Sequence, residues 1–405
     1  MLSRMKFEIE PLVAEMLDQL PESAWTSDST TFFDPAIGGG QFVHAIEQRL
    51  REYGHNDQNI RKRVFGIEDS NLHIRYAVNK HKLVGQYAKK PHGKFLELDN
   101  TMKFDVVIGN PPYQDSKAHG KKTTGNGALW VKFTVKAMDL VKDNGFLGFV
   151  IPDSWTAPTY DLMGSRESIF TDYFKKDNLF YLNFDVKKFF PNVGIDPSAF
   201  VLKKDQMYTT TTIKTPTETI SLDLSNMSFI TKDLSSTSLS IHSKVLSNKE
   251  NSRLIKMRWK KTVTSITAQE TEDKTFKYPF VDHHSYKPLR WANTLDPDAT
   301  KRKVLVPYVG KYQCIVDDIG ELGARESVSV LFLNDNEKGE FAEKFFASKL
   351  VNFIMNTNQW TQYQLSQILN FIPVEDFSQD WNDSKIYKHF GLTQEEINYV
   401  EANVK

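Results

Sequence analysis

Strand-like and helix-like patterns alternate through the first 200 residues, and a polar motif follows nearly every strand signal. Ile9, Leu12, Val13, Met16, Leu17 and Leu20 recur at helical spacing. A short strand signal, Thr31–Phe33, runs into Asp34, and Phe42, Val43, Ile46 and Leu50 suit the next helix. Strands are expected at Val64–Ile67, Lys94–Leu98 and Phe104–Ile108, ending at Glu68, at Asp99 and just before Asn110, with a further strand at Phe146–Ile151. Helices are expected over 71–83, 129–141 and around Ile169–Phe174, and Leu179–Phe184 with Ala199–Leu202 would close the sheet. Such alternation predicts an α/β domain with a mostly parallel sheet. Open sheets of that kind bind ligands beyond the carboxyl ends of their strands.

The segment Phe32–Phe42, FFDPAIGGGQF, lies between a strand and a helix. Its glycines let the backbone approach a ligand, and the following helix offers free N–H groups. No Gly-Lys-Ser/Thr follows, so a phosphate-binding P-loop is excluded, and Asp34 suits a cationic ligand such as an amino group. Glu68 can accept ribose hydroxyls, and Asp99 can accept a proton from an adenine amino group. Each acid alone is an ordinary cap or surface charge. The ordered set of Asp34, Gly38, Gly40, Glu68 and Asp99 is harder to explain that way.

The segment FDVVIGNPPYQ, 104–114, is the most informative. Pro-Pro marks a rigid turn, which does not account for the flanking Asn110 and Tyr113. An adenine amino nitrogen is a weak nucleophile because its lone pair is delocalised into the ring. It needs acceptors for its two N–H groups, and the Asn110 side-chain oxygen and the Pro111 carbonyl supply them. Pro111 and Pro112 fix φ and carry no competing donor. Tyr113 offers a flat face for a base.

Asn110-Pro111-Pro112-Tyr113 closely resembles the catalytic motif of amino-methyltransferases, above all the DNA adenine-N6 enzymes of bacterial restriction–modification systems. Asp34-Pro35-Ala36-Ile37-Gly38-Gly39-Gly40 is similar to their cofactor motif, with Phe42 following, and Glu68 and Asp99 match the next two acidic positions. Ile9-Glu10-Pro11 resembles the segment that closes over the methionine end, where the family often has Thr-Pro. The segment 187–204 resembles the one carrying a second base-stacking aromatic; by position this is Phe190, with Phe189 as its competitor. The resemblance implies a Rossmann-like class I fold over 1–205, S-adenosylmethionine as cofactor, and a C-terminal mixed α+β target-recognition domain over 206–405. It implies double-stranded DNA as partner, a cognate restriction endonuclease as a further one, and no metal.

Formal net charge is zero, so any nucleic-acid face must be local. Lys117, Lys121 and Lys122 lie in a Gly-rich stretch that reads equally as a phosphate-contacting loop or a plain surface loop. The stretch 241–303 holds 14 Lys/Arg against 7 Asp/Glu. Within it Arg253, Lys256, Arg258, Trp259, Lys260 and Lys261 interleave charge with an aromatic, and His283, His284, Tyr286, Arg290 and Trp291 form a second cluster. Arg258, Lys260, Lys261 and Arg290 are the expected DNA contacts. The Thr-rich run 208–220 reads as a linker or an exposed edge strand, and Glu272-Asp273-Lys274 as a loop rather than a nuclease centre. The single cysteine, Cys314, excludes an intrachain disulfide and a cysteine zinc site. No run is long enough to span a membrane, so a cytoplasmic setting in a bacterial or phage-infected cell is expected. Related Asn-Pro-Pro-Tyr motifs occur in enzymes methylating RNA or protein, and N4-cytosine enzymes usually lead with Ser; these are the rival readings.

Overall fold

The computed structural model describes residues 10–90, 92–114, 129–157, 169–174, 178–205, 210–225, 227, 229–247, 253–256, 268–269, 272–281, 290–307, 314–324, 328–358, 368–373 and 376–404. Two compact units divide the chain, Met1–Phe229 and Ile230–Lys405.

The first unit is built on a nine-stranded sheet. Its strands are β1 (Phe32–Asp34), β2 (Val64–Glu68), β3 (Gln86–Lys89), β4 (Phe104–Gly109), β5 (Val141–Pro152), β6 (Asn178–Asn183), β7 (Pro197–Lys203), β8 (Thr211–Lys214) and β9 (Thr219–Leu222). They lie in the order β3-β2-β1-β4-β5-β7-β6-β8-β9. The first five pair in parallel, and β7 runs antiparallel between β5 and β6. The helices are α1 (Glu10–Leu17), α2 (Glu22–Thr26), α3 (Gln41–Glu52), α4 (Asp57–Arg63), α5 (Asn71–His81), α6 (His92–Leu96) and α7 (Leu129–Leu140). Successive side chains of a strand point to opposite faces, and β1 uses both. Phe32 stacks on Trp25 of α2 at 5.2 Å, while Phe33 stacks on Phe104 at 4.5 Å and on Phe95, which in turn meets Phe133 of α7. Both faces are therefore covered, which explains why residues 106–108 of β4 and 146–151 of β5 read as nearly continuous apolar runs. This is the doubly wound α/β arrangement expected.

Two local readings change. The third strand is not Lys94–Leu98 but β3, a polar, mostly exposed edge strand that carries no apolar signal. Residues 94–98 instead follow helical spacing: Phe95 and Leu98 are buried, Glu97 between them is exposed, and Lys94 pairs with Glu97 one turn on. The segment Ile169–Phe174 is a single π-type turn, with Phe170 and Phe174 packed around Trp155. Of the two readings of the Thr-rich run the edge-strand one agrees with the structure: it forms β8 and β9, an antiparallel pair that extends the sheet through β6 and ends it at β9. Because those strands belong to the sheet, the first unit continues past residue 205 to residue 229.

The second unit is mixed α+β, as expected. One four-stranded sheet comprises Leu254–Lys256, Val328–Phe332, Lys303–Pro307 and Ile315–Asp317; the other comprises Ala268–Gln269, Arg290–Ala292, Tyr278–Val281 and Gly323–Ala324. Two consecutive helices, Gly339–Phe346 and Lys349–Thr357, are separated at Ser348, which caps the second by accepting the Val351 N–H. Thr393 and Glu396 form a capping box at the start of the last helix, Gln394–Asn403. Glu272, Asp273 and Lys274 lie in an exposed loop, and Cys314 is buried. Among the described residues no helix is long and apolar enough to cross a membrane.

Candidate active site

β1 stops at Asp34, whose carboxyl is 1% exposed. Its Oδ1 accepts the Ala36 N–H at 2.9 Å, and no other hydrogen bond reaches it from the described residues. Burial pushes the carboxyl up to about 7; the Ala36 bond opposes this, and the nearby Glu68 charge adds to it. The chain then turns through Ile37, whose N–H donates to the Ile67 carbonyl at 3.1 Å. Gly38 and Gly40 hold φ of +53° and +86°, in the left-handed region that favours glycine. A Cβ on Gly40 would stand 2.8 Å from the Ala77 Cβ, so the start of α3 closes directly onto α5. Pro35 is buried and Ala36 half-buried beside this turn, and Pro11 is exposed at the start of α1. Phe42, in the first turn of α3, is buried in the core cluster that also holds Ile37 of the turn.

Glu68 ends β2 and is 5% exposed. Its Oε2 accepts the Gly38 N–H at 2.9 Å, and Oε1 meets the Ser70 N–H and His73 Nδ1, each at 3.3 Å. A carboxylate accepts about four hydrogen bonds, so Glu68 braces the glycine turn and keeps capacity for another partner.

β4 brings the third element. β1 lies between β2 and β4, and the strand order reverses beside β1, so the tips of these strands form the switch point of the sheet. A Cβ on Gly109 would stand 2.5 Å from Asp34 Oδ1. The residue before Asn110 must therefore be glycine for the two motifs to meet. Asn110 Oδ1 and the Tyr113 hydroxyl are both buried and have no hydrogen-bond partner among the described residues. Burial raises the Tyr113 phenol well above its usual range. The Tyr113 carbonyl accepts the Leu129 N–H at 3.2 Å, anchoring the turn to α7. An unsatisfied buried acceptor costs about 1–3 kcal/mol, and native structures hold few of them. Asn110 Oδ1 is thus a group kept without a partner at the ligand-binding edge of the sheet.

The structure does not bring Asp99 to this edge. Asp99 is exposed, follows α6 rather than a strand, and its Oδ1 accepts the Thr101 N–H at 2.9 Å. That local bond holds its carboxyl below the usual range. The neighbouring Asn100 reaches Asp139 at the far end of α7, just ahead of β5, on the opposite edge of the sheet. The strand that does end beside Glu68 is β3, followed by Lys90 rather than an acid. Phe189 and Phe190 are half-buried on the core that α1 and α3 share, Phe189 beneath the Lys188 ammonium at 5.2 Å. Arg290 is half-buried on the strand Arg290–Ala292, and Trp291 on the same strand is also half-buried. Ile9, Lys117, Lys121, Lys122, Arg258, Trp259, Lys260, Lys261, His283, His284 and Tyr286 lie outside the described residues.

Residues 30–186, which carry this glycine turn and the Asn110 turn, match the profile of the Eco57I restriction-modification methylase family. Over this segment the chain is similar to the methylase domains of that family. The chain is 28% identical over 200 residues to a putative type II restriction enzyme and methyltransferase of Methanocaldococcus jannaschii, covering 48% of this chain and 14% of that protein. It is 40% identical over 99 residues to an uncharacterized adenine-specific methylase of Mycoplasma pneumoniae, covering 22% of this chain and 21% of that one. The chain therefore spans only a minor part of the length of these curated relatives. Among solved structures, the type IIL restriction-modification enzyme MmeI in complex with DNA shares the fold with a TM-score of 0.50 at 11% identity, covering 92% of this chain and 64% of that one. The first unit has a Rossmann-like α/β fold.

Several contacts of the first unit have no sequence signal. His73 and Ser70 reach Glu68 only because α5 starts at the tip of β2. Glu47, an acid on the inward face of α3, is fully buried and accepts the Val84 and Gly85 N–H groups and the Tyr87 hydroxyl, tying α3 to β3. Gly109 was legible as a small residue, but its reason, the Asp34 carboxyl, lies 75 positions away in sequence. Gly109→Ala should force those two tips apart and destabilise the unit by about 1–3 kcal/mol, the usual penalty of overpacking. Urea denaturation measures this, and an unchanged midpoint would show that the contact is slack.

Proposed function

We propose that the protein is an S-adenosylmethionine-dependent DNA methyltransferase that modifies the exocyclic amino group of adenine at a specific site, in the cytoplasm of a bacterial or phage-infected cell. One observation carries this reading: the buried Asn110 Oδ1, without a donor among the described residues, stands one residue beyond Gly109, which lies against the buried Asp34 carboxyl from which the glycine turn starts. A cation-binding acid and an acceptor awaiting an N–H donor meet at the tip of one pair of strands.

The donor set fits the cofactor. Asp34 suits its ammonium group, the turn at Gly38 and Gly40 lets its chain approach the backbone, Glu68 suits a ribose hydroxyl, and Pro11 lies on the helix expected to close over it. When bound, S-adenosylmethionine supplies an electrophilic methyl group on a sulfonium. The chain's own residues prepare the nucleophile. Asn110 Oδ1 and the Pro111 carbonyl accept the two amino N–H groups, which favours localisation of the nitrogen lone pair. Prolines 111 and 112 keep these acceptors rigid, so positioning contributes directly to the rate. Flipping a base out of a duplex costs a few kcal/mol, and stacking on an aromatic returns about 1–3 kcal/mol per base. Tyr113 and Phe190, with Phe189 as the alternative, fill that role. The second unit, with Arg290 and the basic stretch around it, serves target recognition, and a cognate endonuclease is the partner such a system would have.

The deciding experiment incubates the protein with S-adenosylmethionine and unmethylated genomic DNA and maps modified bases by single-molecule sequencing. N6-methyladenine within one short motif supports the proposal. N4-methylcytosine moves the substrate to cytosine, and unmodified DNA with methylated RNA or protein moves it out of DNA altogether. Tyr113→Ala should lower turnover by only about tenfold, the equivalent of about 1–2 kcal/mol of stacking, because the second aromatic still holds the base. A mutant that loses cofactor affinity but keeps its DNA turnover would remove Tyr113 from the base site.

A further inference from the structure

Asn183 closes β6 and is fully buried, yet it is polar at both ends of its amide. Its Nδ2 donates to Glu15 Oε1 on α1, and its Oδ1 accepts the Asp185 N–H at 2.7 Å. Glu15 also accepts the Tyr181 hydroxyl and, at 2.6 Å, the Lys214 ammonium from β8. The Lys214 carbonyl in turn takes the Phe184 N–H at 2.8 Å. Asp185 opens the turn that carries the two aromatics. Within that turn Lys187–Phe189 form a 3-10 helix, the Phe190 N–H donates to the Lys187 carbonyl at 2.9 Å, and the Val193 N–H donates to the Phe190 carbonyl at 3.1 Å. Lys187 Nζ donates to the Val193 and Ile195 carbonyls. Phe189, Phe190 and the apolar face of α1 pack on the same core.

A leucine at 183 would fill this space with no polar group to satisfy. A buried amide bonded at both ends, to the partly exposed Glu15 and to the Asp185 N–H, instead favours one geometry, since a shift leaves the buried Asn183 groups unpaired. Here the geometry joins the helix bearing Glu10 and Pro11 to the turn bearing Phe189 and Phe190. We infer that Asn183 is a positioning residue that, through Glu15, clamps the aromatic turn at 184–190 to α1 and so holds the stacking ring in place for a flipped base. This rests on the base-binding reading of that turn given above.

The test uses the full chain and a duplex carrying the mapped motif with 2-aminopurine at the target adenine, whose fluorescence rises when the base leaves the stack. Asn183→Asp keeps the acceptor for the Asp185 N–H but sets a carboxylate against Glu15. It should cut the fluorescence rise and raise the KM for DNA by about tenfold, as small misplacements do, while the S-adenosylmethionine Kd stays within about twofold. Adding Glu15→Gln exchanges donor and acceptor across the same bond, so the double variant should recover most of the fluorescence. Lys214→Met, on an outer strand, tests the link without touching the core and should show the same loss in weaker form. Wild-type fluorescence and DNA KM in Asn183→Asp and Lys214→Met would overturn the inference alone. So would a loss of cofactor affinity in step with the DNA defect, or a double variant no better than the single one. No fluorescence rise and no methylation with the wild-type protein would overturn the base-binding reading, and this inference with it.

Discussion

Replacing Asn110 with alanine is expected to lower the single-turnover rate by about 10²–10³-fold, the effect of removing one preorganised group that acts on the reacting atoms. The cofactor Kd should stay within about twofold, because the ammonium and ribose ends are assigned to Asp34 and Glu68 rather than to Asn110. The same substitution should leave the free protein unchanged or more stable by about 1 kcal/mol, since it removes a buried acceptor that has no donor. This opposition of rate and stability separates a site residue from a structural one, whose loss lowers both. Single-turnover methylation alongside urea denaturation reads the two quantities, and a variant that turns over normally would overturn the proposed mechanism.

The second large effect concerns pH. The Asp34 carboxyl sits near pKa 7, raised chiefly by burial. Glu68 from β2 adds to the shift, Asp34 in turn raises the Tyr87 phenol on β3, and the Gly109 backbone of β4 lies against the carboxyl. The unfolded carboxyl titrates near 3.8. Protonation in the folded state therefore contributes stability that is fully present below pH 3.8 and is lost as pH rises through about 7. The shift corresponds to roughly 4 kcal/mol, at about 1.4 kcal/mol per pH unit. A cationic ligand at Asp34 needs the ionised form. Below pH 7 its binding must release a proton, and the S-adenosylmethionine Kd should rise by up to about tenfold per pH unit. Calorimetry in buffers of different ionisation enthalpy counts that proton. Asp34→Asn should abolish the pH dependence, raise the stability of the free protein at pH 8 by a few kcal/mol, and weaken cofactor binding there by about 10–100-fold. A Kd that is flat between pH 6 and pH 8 would remove Asp34 from the ammonium site.

The sequence was informative where residue type carries its own physics. Asn110-Pro111-Pro112-Tyr113 is readable because prolines fix their own backbone and an amide placed after a buried apolar strand has few structural uses. The turn at Gly38 and Gly40 is readable because the left-handed region favours one residue type. It misled where the signal was relational. Lys94–Leu98 has the composition of a strand, yet Phe95 and Leu98 are buried at helical spacing. β3 is an edge strand held by its ladder to β2, so its sequence shows no apolar alternation. Asp99 was attached to the wrong strand for that reason, and its carboxyl turns back on Thr101 away from the site.

By itself the sequence determined the α/β alternation, the order of the two motifs and the groups that do chemistry, because hydrophobic period, backbone restriction and donor or acceptor character are properties of single residues and short runs. Only the tertiary structure decided that Gly109 must be small because Asp34 lies behind it, that Glu68 braces Gly38, that β8 and β9 belong to the first unit, and that Asn183 joins α1 to the aromatic turn. Each of these joins residues distant along the chain through one hydrogen bond or one close approach, and a contact of that kind leaves no period and no motif in the sequence that makes it.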